Sequence, residues 1–318
     1  MKKLFLFTTG FLFIAFFQFS CTQTPKYSLA EKAGLSGDTL DLATKEMQEY
    51  IDNGKLAGIS ALIYKNGEIV YREEFGYSSL SEKNPIDETT IFRMFSMTKP
   101  VTAVALMTLF DEGKFALDDK VSKFIPEFAG TMVYNAETKT LEPQQTPMTI
   151  RHLLTHTAGF TYGWDQKSYV DSLYRVNGAS GWDGVLADKM KILAGIPLKN
   201  QPGTKYEYSV SIDVAGYLVE VLSGMPLDKY MKTKIFDPLK MNDTGFFVPE
   251  EKHNRFMGMF SIKNDSLIEG AGGMSEAFKK PVTLFAGGHG LVSTVNDYLT
   301  FCKMLLNNGE LDGVRVLS

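Results

Sequence analysis

The sequence predicts an α+β fold, in which an antiparallel sheet is split in sequence around a helical insertion. Alternation of apolar and polar residues, which is typical of strands, is concentrated at residues 58–77 and again near the end of the chain. Helical periodicity dominates the residues between these two regions. Strands that are separated by a block of helices are typical of α+β proteins and not of alternating βαβ units.

The composition predicts a globular protein with a sizeable core. Of the 318 residues, 44% are apolar and 12% are aromatic, which allows one large domain or two small ones. The formal net charge is −4, and both signs of charge are mixed along the chain. We therefore expect no nucleic-acid partner, since that would need a basic stripe. The two cysteines, Cys21 and Cys302, cannot build a disulfide framework.

The first twenty residues have the pattern of an export signal. Lys2 and Lys3 form a positive region, and an apolar run follows, LFLFTTGFLFIAFFQF. A transmembrane anchor is the second interpretation, although the run is short for a span of about 20 residues. Ser20-Cys21 resembles a bacterial lipobox with Cys21 as the lipidated residue, but Gln18 stands where that pattern prefers leucine. We expect an exported, periplasmic lipoprotein that is held at the membrane through Cys21, with simple secretion as the alternative.

Three segments follow from the composition: a signal peptide at residues 1–20, a tether at 21–37 and one domain at 38–318. The tether is predicted because its residues are polar and include glycine. An amphipathic helix is predicted from Asp38, with Asp38 or Ser36 as its N-cap.

Local signals predict several further elements of the domain. Asn66-Gly67 lies between two alternating runs and is the strongest short-range signal for a β-hairpin. Residues 131–147 are polar and are predicted to form a loop. We also expect a short strand at residues 244–248 and a final helix from about Thr294.

The first candidate catalytic pair lies in the stretch FSMTKP, which precedes a long apolar run. Ser96 and Lys99 are three residues apart, so on a helix their Cβ atoms lie roughly 5–6 Å apart on one face. An amine there can take the proton that a serine hydroxyl must lose to become a nucleophile. Pro100 is tolerated in a first helical turn, which places Ser96 at the N-terminal end of a buried helix, where free N–H groups favour developing negative charge. A serine and a lysine at this spacing also occur by chance, so the assignment depends on partner motifs.

Two further places carry candidate site residues. Tyr208 lies between a Pro-Gly turn and a helix, and its phenol could act as a base or proton shuttle beside a lysine. Tyr206 fits equally well on spacing alone, and either could be a buried structural tyrosine. The Gly-rich run that contains His289 and Gly290 could approach a substrate closely, although such glycines more often serve backbone geometry.

A metal site is not expected. His152 and His156 are four residues apart on a predicted helix, but Leu153 stands where the zincin pattern needs a glutamate, and no third ligand is evident. His156 is instead expected to form a structural hydrogen bond near the end of its helix. We expect no metal and no organic cofactor.

Taken together, the motifs resemble those of the serine β-lactamase-related hydrolases, a group that includes class C β-lactamases, D-alanyl-D-alanine carboxypeptidases and related esterases. From about residue 40 to the end the chain carries, in the matching order, SMTK, TIRHLLTHTAGF, PGTKYEYSVSIDVAGYLVEVLSG, FDPLKMNDTGF and GGHGLVST. The resemblance implies a β-lactamase/transpeptidase-like fold, with an antiparallel sheet flanked by helices, a helical region and a cleft between them. It implies that Ser96 is acylated, that Lys99 is its proton partner and that Tyr208 is the base or proton relay. The Ser96 backbone N–H would supply half of the oxyanion hole.

The chain departs from this family pattern at two places. Val210 stands where the Y-x-N motif has an asparagine, which favours an esterase-like branch over a β-lactamase. The third motif of the family would follow the GGHGLVST region, and the tripeptide His289-Gly290-Leu291 is not that motif. We therefore expect a C-terminally incomplete domain that lacks its last strands.

The function that these observations predict is an exported serine hydrolase that acts through a Ser96 acyl-enzyme. Its substrate is expected to be a small ester, amide or peptide, with esterase activity favoured over β-lactamase or carboxypeptidase activity. The alternatives are a non-catalytic ligand-binding protein of the same fold and an inactive truncated fragment.

Overall fold

A computed structural model describes residues 26–270 and 275–318. The helices of these residues are α1 (Ser28–Lys32), α2 (Gly37–Asp52), α3 (Thr98–Asp111), α4 (Ile150–Leu154), α5 (Tyr169–Val176), α6 (Leu186–Ala194), α7 (Ser211–Ser223), α8 (Leu227–Met231) and α9 (Val295–Leu306). The strands are β1 (Gly58–Lys65), β2 (Glu68–Ser79), β3 (Asn84–Pro85), β4 (Phe92–Arg93), β5 (Val133–Asn135), β6 (Thr140–Glu142), β7 (Phe260–Lys263), β8 (Ser266–Glu269), β9 (Val292–Ser293), β10 (Glu310–Leu311) and β11 (Val314–Arg315). Helices thus occupy most of the middle of the chain, as the α+β prediction requires.

The predicted hairpin is confirmed as the longest part of the sheet. Strands β1 and β2 pair antiparallel from Gly58 opposite Gly76 to Lys65 opposite Glu68, and β3 adds to β2. The turn residues Asn66 and Gly67 both have positive φ angles, 55° and 89°. This is the conformation of a type I′ turn, whose twist matches that of the two strands.

The segment predicted as a tether is folded where the structure describes it, so that part of the prediction is wrong. Helix α1 lies within it, and Ala30 and Tyr27 are buried together with Leu40 of α2 and with Val70 and Tyr71 of β2. The composition hid this contact because two apolar side chains, three residues apart, are enough to attach a single helical turn. The signal peptide and Cys21 lie outside the described residues.

Helices α3 and α7 pack against each other at the centre of the helical region. Ala105 and Leu106 of α3 and Val214, Ala215 and Leu218 of α7 are completely buried. Both helices are apolar around most of their circumference, which is the pattern of helices surrounded by other elements. Because Ser96 precedes α3 and Tyr208 precedes α7, the packing of the two helices decides how the candidate residues meet.

One loop prediction and one strand prediction are wrong, and one helix prediction is confirmed. Residues 131–147 contain the β5–β6 hairpin, whose turn is closed by the Asn135 side chain accepting from the N–H groups of Glu137 and Thr138. Residues 244–248 form only an isolated bridge through Gly245, since its partner strand β9 is two residues long. Helix α9 begins after Thr294, as predicted.

Candidate active site

Ser96 lies in a tight turn that leads directly into α3. Residues Phe95–Met97 form one 3₁₀ turn, and α3 begins at Thr98. Phe95 has a φ angle of +43°, a conformation that bulky side chains rarely adopt and that is concentrated at functional sites. The side chain of Ser96 is exposed. The strained turn therefore presents the serine hydroxyl to solvent from the N-terminal end of a buried helix, as predicted.

Lys99 is buried directly behind Ser96. Its Nζ lies 3.1 Å from Ser96 Oγ and donates a hydrogen bond of 2.7 Å to the Gly288 carbonyl. The ammonium also lies 4.6 Å from the ring centroid of Tyr208 and 5.5 Å from that of Tyr162. Since a buried charge is costly without partners, the carbonyl and the two aromatic rings stabilise the lysine at this position.

Tyr208, and not Tyr206, meets the serine. The Tyr208 Oη lies 2.7 Å from Ser96 Oγ, whereas the Tyr206 side chain is exposed and only its ring contacts His156. The backbone on both sides of Tyr208 is fixed by His156, because the Glu207 N–H donates to the His156 carbonyl and the Ser209 N–H donates to His156 Nδ1. The choice that spacing left open is therefore decided by the geometry.

His156 packs against the ring of Tyr208. Its ring lies 4.9 Å from the Tyr208 ring, and Nδ1 is 3.3 Å from Ser209 Oγ. Burial, with a smaller contribution from the positive charge of Lys99, lowers the pKa of His156 to about 4. The imidazole is therefore neutral near pH 7. His152 instead accepts the Thr149 N–H in the capping box of α4.

Possible metal ligands are also not clustered in the described part of the chain. In residues 26–270 and 275–318 no group of three or more histidine, cysteine, aspartate or glutamate side chains is arranged to hold a metal ion. Within that part of the chain no helix is both long and apolar enough to cross a membrane.

Aromatic side chains flank the serine on two sides, and the sequence analysis missed them. On the Tyr208 side, Trp164 stacks on Tyr162 with ring centroids 4.7 Å apart and an angle of 15°, and it is 68% exposed. On the Phe95 side, Trp182 is 46% exposed and contacts the rings of Phe95 and His289. A signal was present, because both tryptophans of the chain fall in the loosely patterned region between residues 161 and 184.

The two predicted substrate-binding residues have different surroundings. The His289 ring lies 3.9 Å from that of Trp182, beside the site, and burial lowers its pKa. Gly290 is buried, its N–H donates to the Ala286 carbonyl, and a Cβ there would lie 2.9 Å from the ring of Phe246. Gly290 thus has a packing contact, and the glycine that contacts Lys99 is Gly288. Substrate binding by His289 and Gly290 stays a prediction.

The arrangement suits nucleophilic attack on a carbonyl carbon. Ser96 Oγ is exposed, and two groups able to exchange protons lie within hydrogen-bond distance of it, Lys99 Nζ and Tyr208 Oη. A serine needs such a neighbour because its free hydroxyl is a weak nucleophile. The positive end of the α3 dipole favours the negative charge that develops on the attacked oxygen.

Comparison with known proteins assigns the chain to a family. Residues 43–317 match the family model described as Beta-lactamase, so the protein belongs to the beta-lactamase family of serine hydrolases. Protein Rv1367c of Mycobacterium tuberculosis is 35% identical over 284 residues, which cover 88% of this chain and 69% of that protein. Esterase EstB of Burkholderia gladioli is 35% identical over 199 residues, which cover 62% of this chain and 48% of the esterase.

Solved structures confirm the predicted β-lactamase/transpeptidase-like fold. The structure of EstCE1, a hydrolase with promiscuous acyltransferase activity, matches with a TM-score of 0.74 and 26% identity. The match covers 91% of this chain and 76% of the EstCE1 chain. The octameric penicillin-binding protein homologue from Pyrococcus abyssi matches with a TM-score of 0.64 and 26% identity, and covers 88% of this chain and 58% of its own. The expected enzyme class, a serine hydrolase, is confirmed with the family.

Proposed function

We propose that this protein is an exported serine esterase that acts through an acyl-enzyme on Ser96. The observation that carries the proposal is the contact of one exposed serine oxygen with both Lys99 Nζ, at 3.1 Å, and Tyr208 Oη, at 2.7 Å. Lys99 lies in α3 and Tyr208 lies in the irregular segment before α7, and both converge on the same oxygen. Such convergence is what a nucleophile requires and a ligand-binding surface does not.

The proposed reaction has two halves. Ser96 Oγ attacks the ester carbonyl carbon, and its proton passes to whichever of Lys99 Nζ and Tyr208 Oη is deprotonated before the attack, while the carbonyl oxygen becomes negative. The C–O bond to the alcohol then breaks, and the alcohol leaves with that proton. A water molecule attacks the acyl-enzyme in the same way, which releases the carboxylic acid and restores Ser96. The Ser96 N–H, at the start of α3, supplies one donor to the oxyanion.

Two features favour an ester over a β-lactam or a peptide as the substrate. Val210 is 3% exposed and packs in the core, so the third position of the Tyr208 motif offers no amide group to a substrate amide. The walls formed by Trp164 and Trp182 are apolar and suit an acyl or alcohol group of low polarity. Two of the similar proteins, EstB and EstCE1, are also named as an esterase and a hydrolase.

Esterase activity is tested with the purified full chain and three substrates: p-nitrophenyl acetate, a chromogenic cephalosporin and a peptide ending in D-Ala-D-Ala. We expect the ester to be hydrolysed fastest, and we expect Ser96→Ala to lose this activity. Ser261→Ala, which changes an exposed serine on β7, is the matched control and should keep it. Faster turnover of the cephalosporin or the peptide would reject the esterase assignment. A folded wild-type protein that turns over none of the three would favour the ligand-binding alternative.

Export and lipid attachment rest on the sequence of the first 21 residues. The positive region, the apolar run and Cys21 support a lipoprotein of the periplasm. Cells that express the full chain with a radiolabelled fatty acid should yield a labelled protein in the membrane fraction, and Cys21→Ser should remove both the label and the membrane association. Export without label would support simple secretion, and unlabelled protein in the cytoplasm would refute the proposal.

A further inference from the structure

One buried carboxylate beside the site has no part in the reaction described above. Asp213 lies in the first turn of α7 and is 8% exposed. Its Oδ1 accepts a hydrogen bond of 2.9 Å from the Gly288 N–H. A buried carboxylate is costly unless it is paired or hydrogen-bonded, so its presence next to the catalytic centre needs a reason.

The partner of this carboxylate is the same residue that holds the catalytic lysine. The Gly288 carbonyl accepts the 2.7 Å hydrogen bond of Lys99 Nζ. The preceding carbonyl, that of Gly287, accepts a 2.7 Å hydrogen bond from Thr102 Oγ1 on α3. The peptide that joins the two glycines is therefore held by α3 through its carbonyl and by α7 through its N–H.

The close approach of this backbone to both helices explains the two glycines. A Cβ on Gly287 would lie 2.6 Å from the Ile212 carbonyl oxygen, and a Cβ on Gly288 would lie 2.9 Å from Asp213 Oδ2. The contact with the Ile212 backbone excludes a side chain on Gly287, and a side chain on Gly288 would displace the Asp213 carboxylate. The backbone thus passes close to both helices, where Asp213 and Thr102 bond to one peptide.

We propose that Asp213 is a positioning residue, which fixes the Gly288 backbone and thereby orients the Lys99 ammonium toward Ser96. The chain of contacts runs from the carboxylate to the Gly288 N–H, through that residue to its carbonyl, and from the carbonyl to Lys99 Nζ. Asp213 touches neither the nucleophile nor its proton partners through a hydrogen bond. Loss of the carboxylate frees the carbonyl to move, and displacement of about 1 Å in a catalytic group costs roughly 10²-fold in rate.

The inference rests on the proposed function, so the test must separate the two. The full-length wild type, Asp213→Ala, Asp213→Asn and Thr102→Val are assayed with p-nitrophenyl acetate, and the active fraction of each is titrated with a fluorophosphonate. Asp297→Ala is the matched control, because Asp297 is also a carboxylate that accepts a backbone N–H, that of Asp243 at 2.8 Å, outside the site. Thermal unfolding of every variant shows whether it is folded.

For Asp213→Ala we expect kcat per titrated site to fall roughly 10- to 100-fold with KM little changed. Asp213→Asn should recover most of the activity, since its amide oxygen still accepts the Gly288 N–H. Thr102→Val, which removes the second hydrogen bond on the same peptide without changing side-chain size, should lower kcat less, and Asp297→Ala should leave kcat per site unchanged.

Wild-type kcat per titrated site in Asp213→Ala would overturn the inference, and so would an Asp213→Asn variant as slow as Asp213→Ala. If Asp213→Ala does not fold, wild-type kcat in folded Thr102→Val overturns it. A wild type that reacts with no fluorophosphonate at all would instead reject the proposed function.

Discussion

Tyr208 Oη and Ser96 Oγ lie 2.7 Å apart although 112 residues separate them in the chain. The contact exists because α3 and α7 pack together, and Ser96 and Tyr208 lie shortly before Thr98 and Ser211, where these helices begin. His156 holds the backbone on both sides of the tyrosine. The fold thus brings a phenol to the serine from a distant segment, while Lys99 reaches it from the next helical turn.

Replacing Tyr208 by phenylalanine should remove the proton relay and leave the packing of the ring intact. We expect kcat for p-nitrophenyl acetate to fall roughly 10²- to 10⁴-fold, the usual contribution of a general acid–base group. Steady-state kinetics of the folded variant measure this. Tyr206→Phe is the control and should stay within about twofold of wild type, since Tyr206 does not contact Ser96. Equal effects of the two changes would contradict the assignment of Tyr208.

The tryptophan walls should govern selectivity among esters. Truncation of Trp164 or Trp182 to alanine should lower kcat/KM for a naphthyl ester by roughly 10-fold or more, because one buried apolar contact of this size contributes about 1–3 kcal/mol. Hydrolysis of ethyl acetate, which is too small to fill both walls, should change little. Val176→Ala, at an exposed apolar position on α5, should alter neither substrate. Parallel losses for the large and the small ester would show that the walls do not select.

The free energy of unfolding should decrease when the pH is lowered, because His156 is buried in its neutral form. Its pKa in the folded protein is lowered to about 4, mainly by burial, whereas an unfolded histidine titrates near 6.5. Between these values the unfolded chain binds more protons, so the free energy of unfolding decreases as the pH falls. The shift corresponds to about 3 kcal/mol lost between pH 6.5 and 4. No contribution from His156 is expected above pH 7.

Urea unfolding at pH 7 and pH 4.5 isolates this contribution when wild type is compared with His156→Gln. The variant should lose less stability over this interval than wild type, because it has no imidazole to protonate. His253→Gln serves as the histidine control and should retain the wild-type decrease. An unchanged pH dependence in His156→Gln would show that His156 is not the group responsible.

The folding of residues 26–37 onto the hairpin can be tested with one substitution. Tyr27 packs on Tyr71 with ring centroids 6.2 Å apart and is 8% exposed. Tyr27→Ala should therefore lower the free energy of unfolding by about 3 kcal/mol, as for other buried aromatic side chains. Leu29→Ala, on the exposed side of α1, should change it by less than about 0.5 kcal/mol. A flexible tether would give no effect for either variant.

The predictions that succeeded depended on local chemistry. Asn66-Gly67 forms its turn because two adjacent residues accept positive φ angles, and Ser96 and Lys99 meet because they are one helical turn apart. Residue spacing could not choose between Tyr208 and Tyr206, since that choice depends on the packing of α7 on α3. The resemblance to a known family supplied that choice.

The features that were missed are non-local or depend on few residues. Asp213 reaches the site through Gly288, which is 75 residues away, so no local pattern indicates the contact. Trp164 and Trp182 lie in irregular loops, where periodicity carries no information on direction. The β5–β6 hairpin is polar and is closed by one asparagine side chain, so it has the composition of a loop.

The most direct test of the central claim is the intact mass of the full chain after reaction with a fluorophosphonate, followed by peptide mapping. We predict a single adduct on Ser96, which is absent from Ser96→Ala and retained by Ser261→Ala. Labelling should be strongly slowed in Tyr208→Phe. A folded wild-type chain that gains no adduct, or one that carries its adduct on another residue, would contradict the assignment of Ser96 as the activated nucleophile.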